Sequence, residues 1–245
     1  MRRSIVFDRA GRPWQAGRLA LGTALLTLAG CVFVPASISG PAPAAGAGSE
    51  SALLTIPREP GDAERARAAL DRSFVARGQA GLDRLKQDAA QRLCSEAEAA
   101  GKAVTDEQAQ AIERENQALI RWPAAGTSFL GDWRAGERIA QSGVGRQWSD
   151  PPDATAGGNC YACHQLSPDE LSYGTLGPSL LRYAVLRAQM PRAELERYTY
   201  GRIYNPQAWQ ACSNMPRFGT HGILAEAQIR DLVALLLAAD SPVNR

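Results

Sequence analysis

Side chains able to hold a metal are scarce in this sequence. Its 245 residues include two histidines, His164 and His221, and three methionines, Met1, Met190 and Met215. A four-ligand zinc site built around Cys160, Cys163 and His164 would have to draw on Cys94, Cys212 and His221, which show no paired spacing. Charge of one sign is also lacking, with 27 basic against 25 acidic residues. Residues 1–30 hold five of those arginines (Arg2, Arg3, Arg9, Arg12, Arg18) against Asp8, so the remainder carries 22 basic and 24 acidic groups. A mildly acidic chain has no polyelectrolyte basis for binding nucleic acid. No apolar run is long enough to span a bilayer, and Leu19–Ala29 is far too short. No stretch alternates with period two, which leaves the sheet classes without a signal and predicts an all-α protein.

What is present begins with an export signal. Arginines precede the apolar run Leu19–Ala29, the order of a secretory leader over residues 1–30. Two cleavage readings compete. Leu28-Ala29-Gly30-Cys31 resembles the lipobox of bacterial lipoproteins, in which the cysteine (here Cys31) is lipidated; an ordinary signal peptidase would cut near Ala45-Gly46-Ala47. On either reading the chain folds in the periplasm, and touches a membrane only through a lipid on Cys31. Cysteines oxidise there unless they are used, so each of the five needs a fate.

Residues 31–60, rich in Pro, Ala, Gly and Ser, read as a flexible linker. Residues 61–125 form a helical extension. Leu82, Leu85, Ala89 and Leu93 fall on one helical face, Gly78 and Gly81 interrupt the pattern, and Thr105-Asp106-Glu107-Gln108 has the form of a capping box. Nothing in this arm marks a cofactor. A different composition starts near residue 126. Asp132 is placed to cap a helix over Trp133–Ala140, and Ile229, Leu232, Val233 and Leu236 recur at helical spacing within Ala225–Ala238.

Between those helices lies Asn159-Cys160-Tyr161-Ala162-Cys163-His164. Cys-x-x-Cys-His is the attachment motif of c-type haem: two thiols bond the macrocycle and the adjacent imidazole ligates its iron. The spacing brings two sulfurs and a ring nitrogen to one rigid group from about one turn of backbone. A thioredoxin-type Cys-x-x-Cys would need a βαβ setting, which is absent. The sequence thus predicts one covalently bound haem c on Cys160 and Cys163, with His164 as proximal ligand. For the distal ligand the choice is short. Met215 precedes Pro216 in a loop about fifty residues after His164 and just before the last helix, where a returning chain would cross the other haem face. Its soft thioether suits an electron acceptor, because it favours ferrous iron. Met190 and His221 are the other candidates, read as a core or surface residue and a loop residue. In Gly177-Pro178-Ser179-Leu180 the Pro178 carbonyl is placed to accept the Nδ1–H of His164 and fix its tautomer, unless the segment is a simple turn.

These residues resemble a known family. From Gly131 to Arg245 the chain is similar to class I cytochromes c, which implies a cytochrome c-like haem domain over residues 126–245. More narrowly, Gly158–Leu166, Leu171–Leu180 and Ala211–Gly219 resemble the SoxX subunits of the SoxAX sulfur-oxidation (thiosulfate-oxidising) cytochromes. That resemblance covers roughly the last 115 residues and says nothing of residues 51–125. It implies a heterodimer with a SoxA-like cytochrome subunit that carries the catalytic residues of an L-cysteine S-thiosulfotransferase. That enzyme couples thiosulfate oxidatively to a cysteine of a SoxYZ-like carrier protein. The present chain would have no catalytic residue of its own, and would accept the released electrons and pass them to a downstream acceptor.

Cys94 and Cys212 remain. Two spare cysteines in an oxidising compartment suggest a disulfide pinning the helical arm to the Met215 loop, although sequence spacing sets no distance between them. Cys212 as a haem ligand is the other use, and would lower the potential instead of raising it. Two further functions stay open: a free-standing periplasmic electron-shuttle cytochrome of a respiratory chain, and a haem-based sensing module with an open iron site.

Overall fold

The computed structural model describes residues 61–245, and these lie within one compact unit. The leader, Cys31 and the linker read from the sequence fall outside the described residues. Among the described residues the protein is all-α. Seven α-helices follow in chain order: α1 (Asp62–Ser73), α2 (Ala89–Ala99), α3 (Asp106–Ala118), α4 (Trp133–Gln141), α5 (Tyr183–Leu186), α6 (Arg192–Tyr204) and α7 (Glu226–Leu237). Short 3₁₀ turns lie at Leu82–Leu85, Cys160–Ala162, Pro206–Ala208 and Pro242–Asn244. The extended pairing is limited to one isolated bridge, Arg77 with Ala80, among the described residues.

Helix starts are set by local chemistry. Thr105 caps α3 through the predicted reciprocal box: its Oγ1 accepts from the Gln108 N–H (3.2 Å), and Gln108 Oε1 accepts from the Thr105 N–H (2.9 Å). Asp132 caps α4, accepting from the Arg134 N–H at 2.9 Å. At α7 the capping residue is Ala225, which has no side-chain acceptor, but Gln228 Oε1 still accepts its N–H at 3.0 Å.

The core lies where α4, α6 and α7 meet. Ile229 and Val233 of α7 are fully buried, as are Ala140 of α4 and Tyr200 of α6. α4 and α7 approach closely at Gly136, where an added Cβ would sit 2.6 Å from the carbonyl carbon of Asp231. Only a residue without a side chain lets α4 lie on the α7 backbone this closely. Asp231 also accepts the Asp132 N–H at 2.8 Å, so the start of α4 is tied to the middle of α7. Beside this crossing Trp122, Phe129, Tyr200 and Tyr204 form a chain of rings, with neighbouring centroids 5.4–6.3 Å apart.

The arm differs from the sequence expectation in one respect. Leu82 and Leu85 do not continue a helical stripe into α2; they lie in a 3₁₀ turn and are 44% and 37% exposed. The reason lies in the polar groups around them. Arg84 donates to the Arg146 carbonyl (2.6 Å) and to the Gln79 carbonyl (2.5 Å), which ties this segment to the loop before Cys160. α3 is fastened differently: Asn116, buried, accepts from Asn205 Nδ2 at 2.9 Å, and Gln117 donates to the Ala208 carbonyl at 2.9 Å.

Candidate functional site

Asn159 takes a left-handed conformation, φ 46°, and opens the 3₁₀ turn Cys160–Ala162. Asparagine adopts this region more easily than most residues. The Cys160 carbonyl then accepts both the Cys163 N–H (3.1 Å) and the His164 N–H (2.9 Å). In a 3₁₀ turn residues i and i+3 eclipse, so Cys160 and Cys163 are presented on one side of the backbone. Both are free thiols. Cys160 packs against the core and burial pushes its thiol up to about 12, so near neutrality it is protonated.

A second segment lies alongside the turn. The Gly174 N–H donates to the Tyr161 carbonyl (3.0 Å), Gly177 to Cys163 (2.8 Å) and Leu180 to Gln165 (2.8 Å). This pairing carries the Pro178 carbonyl to 2.7 Å from His164 Nδ1. A carbonyl only accepts, so Nδ1 bears the proton and Nε2 keeps its lone pair for a ligand. Gly177 makes room for the ring: an added Cβ would lie 2.5 Å from Nδ1 and 2.7 Å from Nε2. Gly177→Ala is therefore expected to rotate or displace the imidazole while leaving the fold intact. The check is the NMR chemical shifts of the His164 ring in the haem-free chain, which should change in this variant and not in Ser179→Ala.

Met215 is half-buried and packs on the core, in a loop where its N–H donates to Ser213 Oγ at 3.3 Å. On either side of it the arm is attached. Cys212 is bonded to Cys94 of α2 across 118 residues, with Cα atoms 5.6 Å apart. Arg217 pairs with Asp88, the residue that caps α2. Burial opposes ionisation of Asp88, but the Gln91 N–H and the Arg217 guanidinium outweigh it and hold its carboxyl below the usual aspartate value. A cleft of about 540 Å³ separates α2 from the loop, lined among others by Gln91, Cys94, Cys212, Met215, Arg217 and His221. Cys160, Cys163 and His164 do not line it. His221 is exposed at this cleft, and Met190 is half-buried against the core.

The residues thus fall into two groups: Cys160, Cys163, His164 and Pro178 in one, and Met215, Cys212 and Cys94 in the other. They fit a covalent haem in three respects. The two thiols are unpaired while the other two described cysteines are joined, His164 has one nitrogen engaged and one free, and apolar side chains stand uncovered nearby in sequence. Leu171 is fully exposed and Leu176 is 89% exposed, which leaves apolar surface open to a bound group. Sequence reasoning missed Asp88, Arg217, Arg84 and Gln79. For Asp88 a signal existed, since Asp88-Ala89-Ala90-Gln91 has the form of a capping box.

No protein-family model matches the chain. Over 135 residues it is 38% identical to an uncharacterized lipoprotein of Aquifex aeolicus (strain VF5). That stretch covers 54% of this chain and 61% of the relative, so the chain spans about three-fifths of the length of the protein it matches.

Proposed function

We propose that this chain is an exported c-type cytochrome, with one haem bonded to Cys160 and Cys163, ligated by His164 and Met215, and held in a class I cytochrome c-like domain. The observation that carries the reading is the His164–Pro178 contact at 2.7 Å, which leaves one imidazole nitrogen free beside two unpaired thiols. A haem held there takes up and gives back single electrons. The protein's own part is to fix the imidazole through Pro178, raise its basicity as a ligand and offer the thioether of Met215.

The finer reading rests on the resemblance of the motif segments to SoxX. It makes the chain the electron-accepting subunit of a heteromeric enzyme that couples thiosulfate to a carrier-protein cysteine, with a SoxA-like partner supplying the catalysis. Lipidation of Cys31 and attachment to the periplasmic side of a membrane are supported by the lipobox and by the relative's description as a lipoprotein. No helix among the described residues is long and apolar enough to cross a membrane.

The test is purification of the tagged full chain from its native host, with intact masses of everything that co-elutes. The expected result is a polypeptide heavier by one haem, plus a second cytochrome at equal stoichiometry. A haem-bearing chain that elutes alone removes the heteromeric reading and favours a shuttle. In the haem-bearing chain Met215→Ala should open the iron to carbon monoxide; unchanged ligand binding and spectrum would mean that Met215 was never a ligand.

A further inference from the structure

Residues 77–94 touch the haem domain in two places that the sequence separates by some sixty residues. At one end Gln79 Nε2 donates to the carbonyls of Asp150 (3.2 Å) and Pro151 (2.9 Å), and Arg84 donates to the Arg146 carbonyl (2.6 Å). Gly78, in a left-handed conformation, lies against the Trp148 backbone, with Arg77 over the Trp148 ring at 5.8 Å. These contacts all fall on the loop 143–158 that leads into Cys160. At the other end Asp88 pairs with Arg217 and Cys94 is bonded to Cys212, one contact on each side of Met215.

Apolar packing does not explain the attachment. α2 buries none of its residues, and the cleft of about 540 Å³ lies between it and the Met215 loop. What joins the two is a covalent bond and a charged hydrogen bond, both directional and both next to Met215.

We infer that residues 77–94 form a brace between the loop entering Cys160 and the loop carrying Met215, with Cys94, Asp88 and Arg84 as positioning residues for the Met215 thioether. The inference rests on the proposed haem ligation. The brace leaves the proximal side to Pro178 and Gly177, and limits how far the Met215 loop can move away. Unbraced, that loop spends a larger fraction of time open, and an outside ligand reaches the iron in proportion to that fraction.

The experiment uses the haem-bearing full chain and two variants: Cys94→Ala with Cys212→Ala, which leaves no odd thiol, and Asp88→Asn, which keeps the disulfide. Two readouts apply to each, the far-red absorption band of a thioether on ferric iron and the affinity of the reduced protein for carbon monoxide. The expected result is a weakened band and carbon monoxide binding tighter by about tenfold in the disulfide variant, as the open fraction rises. Asp88→Asn should shift both in the same direction by less. Should the double variant fail to fold, Asp88→Asn decides alone. A folded, haem-bearing variant with an unchanged band and unchanged affinity overturns the brace and leaves the haem reading standing. A wild-type chain without haem, or without the thioether band, overturns the ligation itself and the brace with it. If the crosslink only stabilised the fold, its removal would lower the unfolding midpoint and move neither readout.

Discussion

Replacing Cys94 and Cys212 together by alanine is expected to lower the unfolding free energy by about 5 kcal/mol, because the bond closes a loop of 118 residues. In the chain-entropy picture the cost of closure grows with the logarithm of loop length, and a loop of this size stands near the upper end of what one crosslink delivers. Little else in α2 offsets the loss, since the helix buries no residue of its own. Other ties of the arm include the Asp88–Arg217 pair, the packing of Ile120 and Trp122 on the core, and hydrogen bonds from Asn205 to Asn116, from Gln117 to the Ala208 carbonyl, and from Arg84 and Gln79 to the loop before the motif. Net contributions of such bonds run to about 1 kcal/mol each. Urea unfolding of the oxidised chain and of the double variant, followed by circular dichroism, measures the difference. A loss under about 1 kcal/mol would mean that the unfolded chain is already compact around these positions.

Gly136→Val is expected to cost about 3 kcal/mol or more, the upper end of overpacking effects. A Cβ at this position runs into the backbone of Asp231, not into a flexible side chain, so no rotamer change relieves it. The helices must separate, and separation strips contacts from the buried face of α7 that carries Ile229, Leu232 and Val233. It also pulls the Asp132 N–H away from the Asp231 carboxylate. The control is Ala135→Val, one residue away on α4. Thermal unfolding of the two variants should differ by several degrees, with Gly136→Val the lower. Equal midpoints would show that α4 and α7 re-dock at little cost.

The juxtaposition of Cys160, Cys163, His164 and Pro178 was legible because it is local. Cys160, Cys163 and His164 are adjacent in the chain, and Pro178 follows them by one short loop, so spacing alone carries the pattern. The Thr105 and Asp132 caps were legible for the same reason: a cap is decided within four residues. The brace was not. Asp88 and Arg84 are ordinary charged residues in a segment full of them, and their partners, the Arg217 side chain and the Arg146 carbonyl, leave no mark on the local pattern. The leucine periodicity of the arm misled for a related reason. Leu82 and Leu85 satisfy a helical template, but hydrogen bonds to a distant loop hold that stretch as a 3₁₀ turn, and tertiary contacts outweigh a weak local preference.

The disulfide joins the first and the last of the four cysteines found among the described residues and passes over the middle two. Four cysteines admit three complete pairings, and only one of these contains the bond between Cys94 and Cys212. Were the chain exported N-terminus first into an oxidising compartment, as proposed, it would expose Cys94, Cys160 and Cys163 before Cys212 arrived. Pairing in order of arrival would therefore join the wrong partners and consume the thiols of the Cys-x-x-Cys-His turn. Reaching the native arrangement requires either reshuffling after synthesis or early occupation of Cys160 and Cys163, so the order of two covalent events becomes part of how this fold is made.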